Sequence, residues 1–180
     1  MSLGLYLHIP YCFSKCRYCD FYSAPGQRGV PRAYVDALLR ELSRFAPDAP
    51  LRPDTLYFGG GTPSLLDPAD AVRLIDAAQP LPGAEITLEA NPETVTEDSL
   101  RAFREAGVNR ISFGVQSARD SQLKTLGRPH TAKQARAAFA AARRAGFENL
   151  SGDIMLALPH YTQAEFDETL ELIEDGRSEE

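Results

Sequence analysis

The run Leu5-Tyr6-Leu7-His8-Ile9-Pro10-Tyr11-Cys12-Phe13-Ser14-Lys15-Cys16-Arg17-Tyr18-Cys19 is a short apolar strand that passes, without a helix, into three cysteines spaced C-x3-C-x2-C. These are the only cysteines among 180 residues. An odd number cannot pair fully as disulfides, and neighbours this close would close strained loops. Soft thiolates gathered on one loop read instead as ligands for a soft metal or an iron–sulfur cluster. Three thiolates on a four-iron cluster leave one iron with an open coordination position, and an open position is where chemistry happens. Two other readings stand beside this one. Structural zinc could recruit His8 as a fourth ligand, although zinc sites usually draw on two separated ligand pairs and no second pair is present. The thiols could also be three unrelated reduced side chains.

Composition bounds the rest. At 43% hydrophobic residues the chain can bury a real core, and its length suits one domain, taken as residues 1–176 with a solvated tail at 177–180. A net charge of −6 disfavours a broad phosphate-backbone footprint, so no nucleic-acid partner is expected. The apolar runs are too short to span a membrane, and the first residues lack the charged region and cleavage site of a signal peptide. Reduced cysteines without an export signal point to the cytoplasm.

Strands and helices alternate along the sequence. Strands are expected over residues 3–9, 55–58, 85–89, 110–115 and 150–156. Pro31 suits a first helical turn, after which Tyr34, Leu38, Leu39, Leu42 and Phe45 share one face. Asp67-Pro68 caps a helix with Val72 and Ile75 inward, and Thr96, followed by Glu97 and Asp98, caps one that stops at Gly107. The alanine-rich stretch 131–145 ends at Gly146. Thr162 and Glu165 form a capping box for a last helix that buries Phe166, Leu170 and Ile173. Five βα units in succession predict an α/β fold with a parallel sheet, closed or partly closed as a barrel.

At the first strand and its cysteines the sequence resembles the radical S-adenosylmethionine superfamily. Within it, Leu5 to Cys19 followed by Asp20-Phe21 looks like the branch that holds oxygen-independent coproporphyrinogen III oxidase and the heme chaperone. The resemblance implies a partial, TIM-like (β/α) barrel of six units, of which five are present here. The chain is therefore expected to be a fragment of a longer protein, without the family's C-terminal domain and with an open strand edge that something must cover. It further implies a [4Fe-4S] cluster on Cys12, Cys16 and Cys19, whose open iron chelates S-adenosylmethionine. An electron from the cluster then gives a 5′-deoxyadenosyl radical.

Unusual residues fall at strand ends, the working end of such a barrel. Gly59-Gly60-Gly61-Thr62 follows the second strand, and glycines let backbone approach a ligand closely. It is also what a plain turn looks like. The resemblance implies that Gly60, Gly61 and Thr62 meet the methionine amino group. It likewise implies cofactor contacts for Glu89, which reads otherwise as a solvated strand-end charge, and for Gln116, Arg128, Asp153, Tyr6 and Tyr18. An aspartate in a strand needs a partner, and Arg128 is the expected one for Asp153, directly or through the cofactor.

Two departures bear on function. The oxidase follows its third cysteine with glycine and a fourth cysteine, where this chain has Asp20 and Phe21. It also carries a longer segment before the first strand. Both favour the chaperone, with heme or a porphyrin as ligand and a heme-acceptor protein as partner. The oxidase, which decarboxylates two propionates, is the enzyme alternative, and a structural zinc or iron–sulfur module is the third reading. His160, a lone loop histidine, is assigned no role.

Overall fold

The computed structural model describes residues 2–45, 50–158 and 160–177. Five strands, β1 (Gly4–Ile9), β2 (Thr55–Gly60), β3 (Glu85–Ala90), β4 (Arg110–Gln116) and β5 (Asn149–Ile154), alternate with helices α1 (Arg32–Phe45), α2 (Pro68–Ala78), α3 (Glu97–Glu105), α4 (Asp120–Leu126), α5 (Ala132–Arg144) and α6 (Gln163–Arg177). Every strand pairing is parallel, and the sheet order is β1-β2-β3-β4-β5. Adding each strand on the same side by a right-handed crossover puts the helices on one face and curls the sheet towards a barrel. A doubly wound sheet would reverse its order midway. Among the described residues β1 and β5 do not meet, so the expected five-unit, unclosed barrel is what forms.

The strand alternation divides the residues between two faces. Leu7, Ile9, Leu56, Phe58, Ile86, Leu88, Ile111 and Phe113 are buried in one hydrophobic cluster with the helices. Helix starts follow the cap chemistry. Asp67 accepts from the Ala69 N–H at 2.9 Å, with Pro68 in the first turn. The Thr162 N–H donates to Glu165 at 2.9 Å while the Glu165 N–H donates to Thr162 Oγ1 at 3.3 Å. Thr96 and Thr131 cap α3 and α5 in the same reciprocal way, with Ser99 and Gln134 as partners. Each box satisfies N–H groups that the first helical turn leaves without acceptors.

Several expectations fail locally. Phe45 is exposed at the end of α1, and Val72 faces outward on α2, which buries Ala71, Leu74, Ile75 and Ala78 instead. The small alanines let α2 lie close to its neighbours, so packing rather than side-chain size chose the inner face. Strand β5 stops at Ile154, and Leu156 beyond it is exposed. On α6, Ile173 is buried together with Leu172, whereas Phe166 and Leu170 are half-buried. Helix α4 has no counterpart in the expected pattern. Residue 177 still belongs to α6, and 178–180 lie outside the described residues. Among the described residues no helix is long and apolar enough to cross a membrane.

Phe139 of α5 meets Phe113 of β4 edge-on, with ring centroids 5.0 Å apart, and is fully buried. Phe139→Ala is expected to cost about 3–5 kcal/mol in urea denaturation. Phe45→Ala, on an exposed ring, should stay within about 0.5 kcal/mol of the parent.

Candidate functional site

The opposite face of the sheet, concave and turned away from the helices, is polar from edge to edge. It carries Tyr6 and His8 of β1, Tyr57 of β2, Thr87 and Glu89 of β3, Arg110 and Ser112 of β4, and Ser151 and Asp153 of β5. Their side chains touch one another across neighbouring strands. Tyr6 stacks on Tyr57 at 5.9 Å between centroids, Tyr57 donates to Glu89 at 2.9 Å, and Ser112 donates to Asp153 at 3.3 Å. Towards the N-terminal end, Arg110 donates to Thr87 and Ser151 at 3.3 and 3.2 Å, forming a polar floor. A closed TIM barrel packs branched apolar side chains here. This face is built for a polar occupant.

The cysteine loop folds over the C-terminal end of that face. Backbone bonds fix it: the Cys12 N–H donates to Ala24 O at 3.0 Å, the Gln27 N–H to Cys12 O at 3.0 Å, and the Arg17 N–H to Leu126 O at 3.0 Å. Cys12 is buried, Cys16 and Cys19 are half-buried, and all three are free thiols lining one cleft. Among the described residues no three His, Cys, Asp or Glu side chains converge tightly enough to hold a single ion. His8 is engaged elsewhere, with Nδ1 at 3.2 Å from the Tyr6 hydroxyl and Nε2 at 3.0 Å from Tyr22 O.

The glycine segment forms the opposite wall. A Cβ at Gly61 would lie 2.8 Å from Tyr11 O and 2.9 Å from Cys12 Sγ, and Gly60 has φ +121° with its Cβ direction aimed at the His8 ring. Neither position takes a side chain without moving the cysteine loop or the first strand. The Gly60 N–H donates to Glu89 Oε2 at 3.0 Å, so the turn and the strand-end carboxylate are one unit. Burial pushes the Glu89 carboxyl above its ordinary value, even though the bonds from Tyr57 and Gly60 favour the ionised form. Burial and Glu89 together raise the Tyr57 phenol.

A continuous chain of side-chain hydrogen bonds links two of the thiols. Thr62 Oγ1 donates to Cys12 Sγ at 3.6 Å and accepts from Asn91 Nδ2 at 3.1 Å. Asn91 Oδ1 accepts from Arg128 Nη2 at 2.7 Å, and Arg128 Nη1 donates to Cys16 Sγ at 3.5 Å. A guanidinium only donates, which fixes the orientation of the Asn91 amide. Arg128 Nη2 also donates to Gly114 O, while Arg128 Nε is buried without a partner. Burial is the main cause that raises the Tyr18 phenol to about 12, and the neighbouring Cys16 adds to it.

The sequence signature of the radical SAM superfamily matches residues 6–173. The chain belongs to the radical SAM superfamily. It is 44% identical over 163 residues to the heme chaperone HemW of Escherichia coli, covering 87% of this chain and 43% of that protein. It is 40% identical to the mitochondrial radical S-adenosyl methionine domain-containing protein 1 of Bos taurus, covering 87% of this chain and 36% of that protein. Among solved structures, the coproporphyrinogen III oxidase HemN of Escherichia coli, a radical SAM enzyme, superposes with a TM-score of 0.83 at 32% identity. It covers 94% of this chain and 41% of its own. The chain thus spans less than half the length of these relatives, and the likeness to HemN carries the partial-barrel radical SAM fold.

Of the residues singled out from the sequence, Cys12, Cys16, Cys19, Tyr18, Gly60, Gly61, Thr62, Glu89, Gln116, Arg128 and Asp153 line the one cleft. Tyr6 does not line it: the ring lies half-exposed on the concave face against Tyr57. Asp153 is exposed and takes its hydrogen bond from Ser112, while Arg128 is spent on Asn91, Gly114 and Cys16. The expected direct pairing of Arg128 with Asp153 is therefore replaced. Asn91, the centre of the thiol-to-thiol chain, was missed. Its signal was available, an amide between the strand-end Glu89 and a proline, but Asn-Pro reads equally as a turn.

The raised Glu89 carboxyl gives a pH test. Its contribution to stability is fully present below the ordinary value of 4.5 and is lost as pH rises through the elevated folded value. The melting temperature of Glu89→Gln apoprotein should therefore gain on the parent between about pH 4 and pH 8. A constant difference across that range would remove the burial argument.

Proposed function

We propose that this chain is the cofactor-binding core of a heme chaperone, a cytoplasmic protein that binds heme and hands it unchanged to an acceptor protein. The observation that carries the cofactor half is the convergence of three free thiols, the glycine turn, Glu89, Gln116 and Arg128 on one cleft. The residues fit the group. Cys12, Cys16 and Cys19 supply soft donors for a [4Fe-4S] cluster, and the hydrogen bonds to sulfur from Thr62 and Arg128 are a means of setting its potential. Gly60 and Gly61 pack backbone directly against the first strand and the cysteine loop, where any Cβ would collide, and the resemblance sets that backbone beside the amino group of S-adenosylmethionine. The unpartnered Nε of buried Arg128 seeks an acceptor, and the Glu89 carboxylate offers one to ammonium or hydroxyl donors. Gln116, Asp153, Thr62 and Tyr18 complete the wall, and Tyr6 supports it through Tyr57. Bound there, the cluster and S-adenosylmethionine supply one-electron chemistry at the sulfonium.

The heme half of the reading is supported by the 44% identity to the chaperone HemW and by Asp20-Phe21. Those residues stand where the resemblance puts a glycine and a fourth cysteine in the oxidase. A second reading, the oxidase, is favoured by the close superposition on HemN. The two differ in what happens to the porphyrin. Decarboxylation requires each propionate to be held within about 3–3.5 Å of the radical carbon, whereas a chaperone need only bind and release.

Anaerobic reconstitution of the full-length protein is expected to give about four iron and four sulfide per chain. Stoichiometric zinc without sulfide, or full cluster content in Cys16→Ala, would overturn the cluster assignment. Gly61→Ala should lose iron, because its Cβ strikes Cys12 Sγ. Gly60→Ala, whose Cβ points at His8, should keep iron and weaken S-adenosylmethionine binding in calorimetry. The same full-length protein should bind heme in an absorbance titration and form no protoporphyrinogen from coproporphyrinogen under reducing, anaerobic conditions. Turnover would promote the oxidase.

A further inference from the structure

Behind the cleft lies a buried acid–base pair that none of the assigned roles uses. The His130 side chain is fully buried, and its Nδ1 sits 3.3 Å from Oε2 of Glu93, whose side chain is only 13% exposed. Neither of these two atoms makes a hydrogen bond of its own, and His130 is held by its other nitrogen, Nε2, at 3.1 Å from Val115 O. Burying two ionisable groups against each other, away from solvent, is costly unless good geometry and further hydrogen bonds compensate, and this arrangement lacks the latter at both atoms.

What it does follows from the chain positions. Glu93 lies in the short 3-10 turn after β3, two residues beyond Asn91, and His130 lies two residues beyond Arg128. The carbonyls of Gly114 and Val115 immediately precede Gln116, where β4 breaks register with β5 and the backbone turns to φ +69°. The three segments are therefore crossed by two parallel rungs. In the first, Asn91 holds Arg128, which holds Gly114 O; in the second, Glu93 faces His130, which holds Val115 O. The first rung lines the cleft and the second does not. A non-glycine residue in the left-handed region persists only where its surroundings fix it, and here both carbonyls before Gln116 are held from the same 128–130 segment.

We infer that Glu93 and His130 are positioning residues for S-adenosylmethionine: they fix the angle at which Arg128 and Gln116 enter the cleft without touching the ligand themselves. The inference rests on the reading of that cleft as the S-adenosylmethionine site. Its test uses Glu93→Gln and His130→Gln in the anaerobically reconstituted full-length protein, with S-adenosylmethionine affinity read from the change it causes in the electron paramagnetic resonance signal of the reduced cluster. Both variants should keep the parent iron content, bind S-adenosylmethionine at least about tenfold more weakly, a 1.4 kcal/mol loss, and show an altered signal at saturation. Glu93→Gln keeps the shape of the side chain and is the deciding variant should His130→Gln fail to fold. Variants with lowered melting temperature but parent affinity and parent signal would make the pair a stability feature only and overturn the inference. A parent protein that holds its cluster but does not bind S-adenosylmethionine would instead overturn the reading of the cleft.

Discussion

One guanidinium ties the molecule's working end together. Arg128 reaches the cysteine loop through Cys16, the end of β3 through Asn91 and the end of β4 through Gly114 O. A charge buried this way costs several kcal/mol unless its surroundings compensate. Burial does oppose the Arg128 charge, yet Tyr18, Cys16 and Glu93 around it raise its pKa overall. None of its three hydrogen-bond partners is a carboxylate. A carboxylate in their place would neutralise the cation, whereas an amide, a carbonyl and a sulfur engage its two Nη groups and leave Nε and the charge available. The cysteine loop, closed on itself by backbone bonds such as Cys12 N–H to Ala24 O, is tied to this side of the sheet by the guanidinium and by the Arg17 N–H bond to Leu126 O. Helix α4, though short, therefore matters, because it presents Leu126 and is followed directly by the segment that carries Arg128.

The in-order parallel sheet explains why this end works and the other does not. Every strand delivers its C-terminal residue to one rim, so a turn, a carboxylate, an amide and a bulge from consecutive units meet although they are far apart in sequence. The opposite end is finished with Arg110, Thr87 and Ser151, which bond to one another and to Glu85 and Ser112. The sheet is thus hydrophobic towards the helices and hydrophilic towards its concave side, and only the first of these faces contributes a protein core.

This two-sidedness also sets how much could be read from the sequence. Strand positions were legible because apolar runs between turn signals have few alternatives, and the helix starts at Asp67, Thr96 and Thr162 were legible because caps are local chemistry. Val72 and Phe45 were misjudged because helical periodicity marks a stripe, while the neighbours decide which edge of the stripe is covered. Helix α4, seven residues long, is too short to display a period. The site divides the same way. The cysteines and Gly60-Gly61 declare themselves through residue type and spacing. Asn91 and the Glu93–His130 pair do not, since an amide or a histidine acquires its meaning only from what folding sets opposite it. The direct form of the Arg128–Asp153 pairing fails because Asn91 and Gly114 O take the guanidinium while Ser112 takes Asp153.

The features of the cleft that look unfavourable one by one have a common resolution. Glu89 is held at a cost in burial, and Arg128 Nε lacks an acceptor. Each cost is of a kind that a zwitterionic ligand removes. An ammonium group would compensate the carboxylate, and a carboxylate would compensate the guanidinium. Ligand binding to the folded state alone adds about 2.7 kcal/mol of stability at a hundred times its dissociation constant. A ligand of that kind would therefore stabilise the folded chain through the same Glu89 and Arg128 that recognise it.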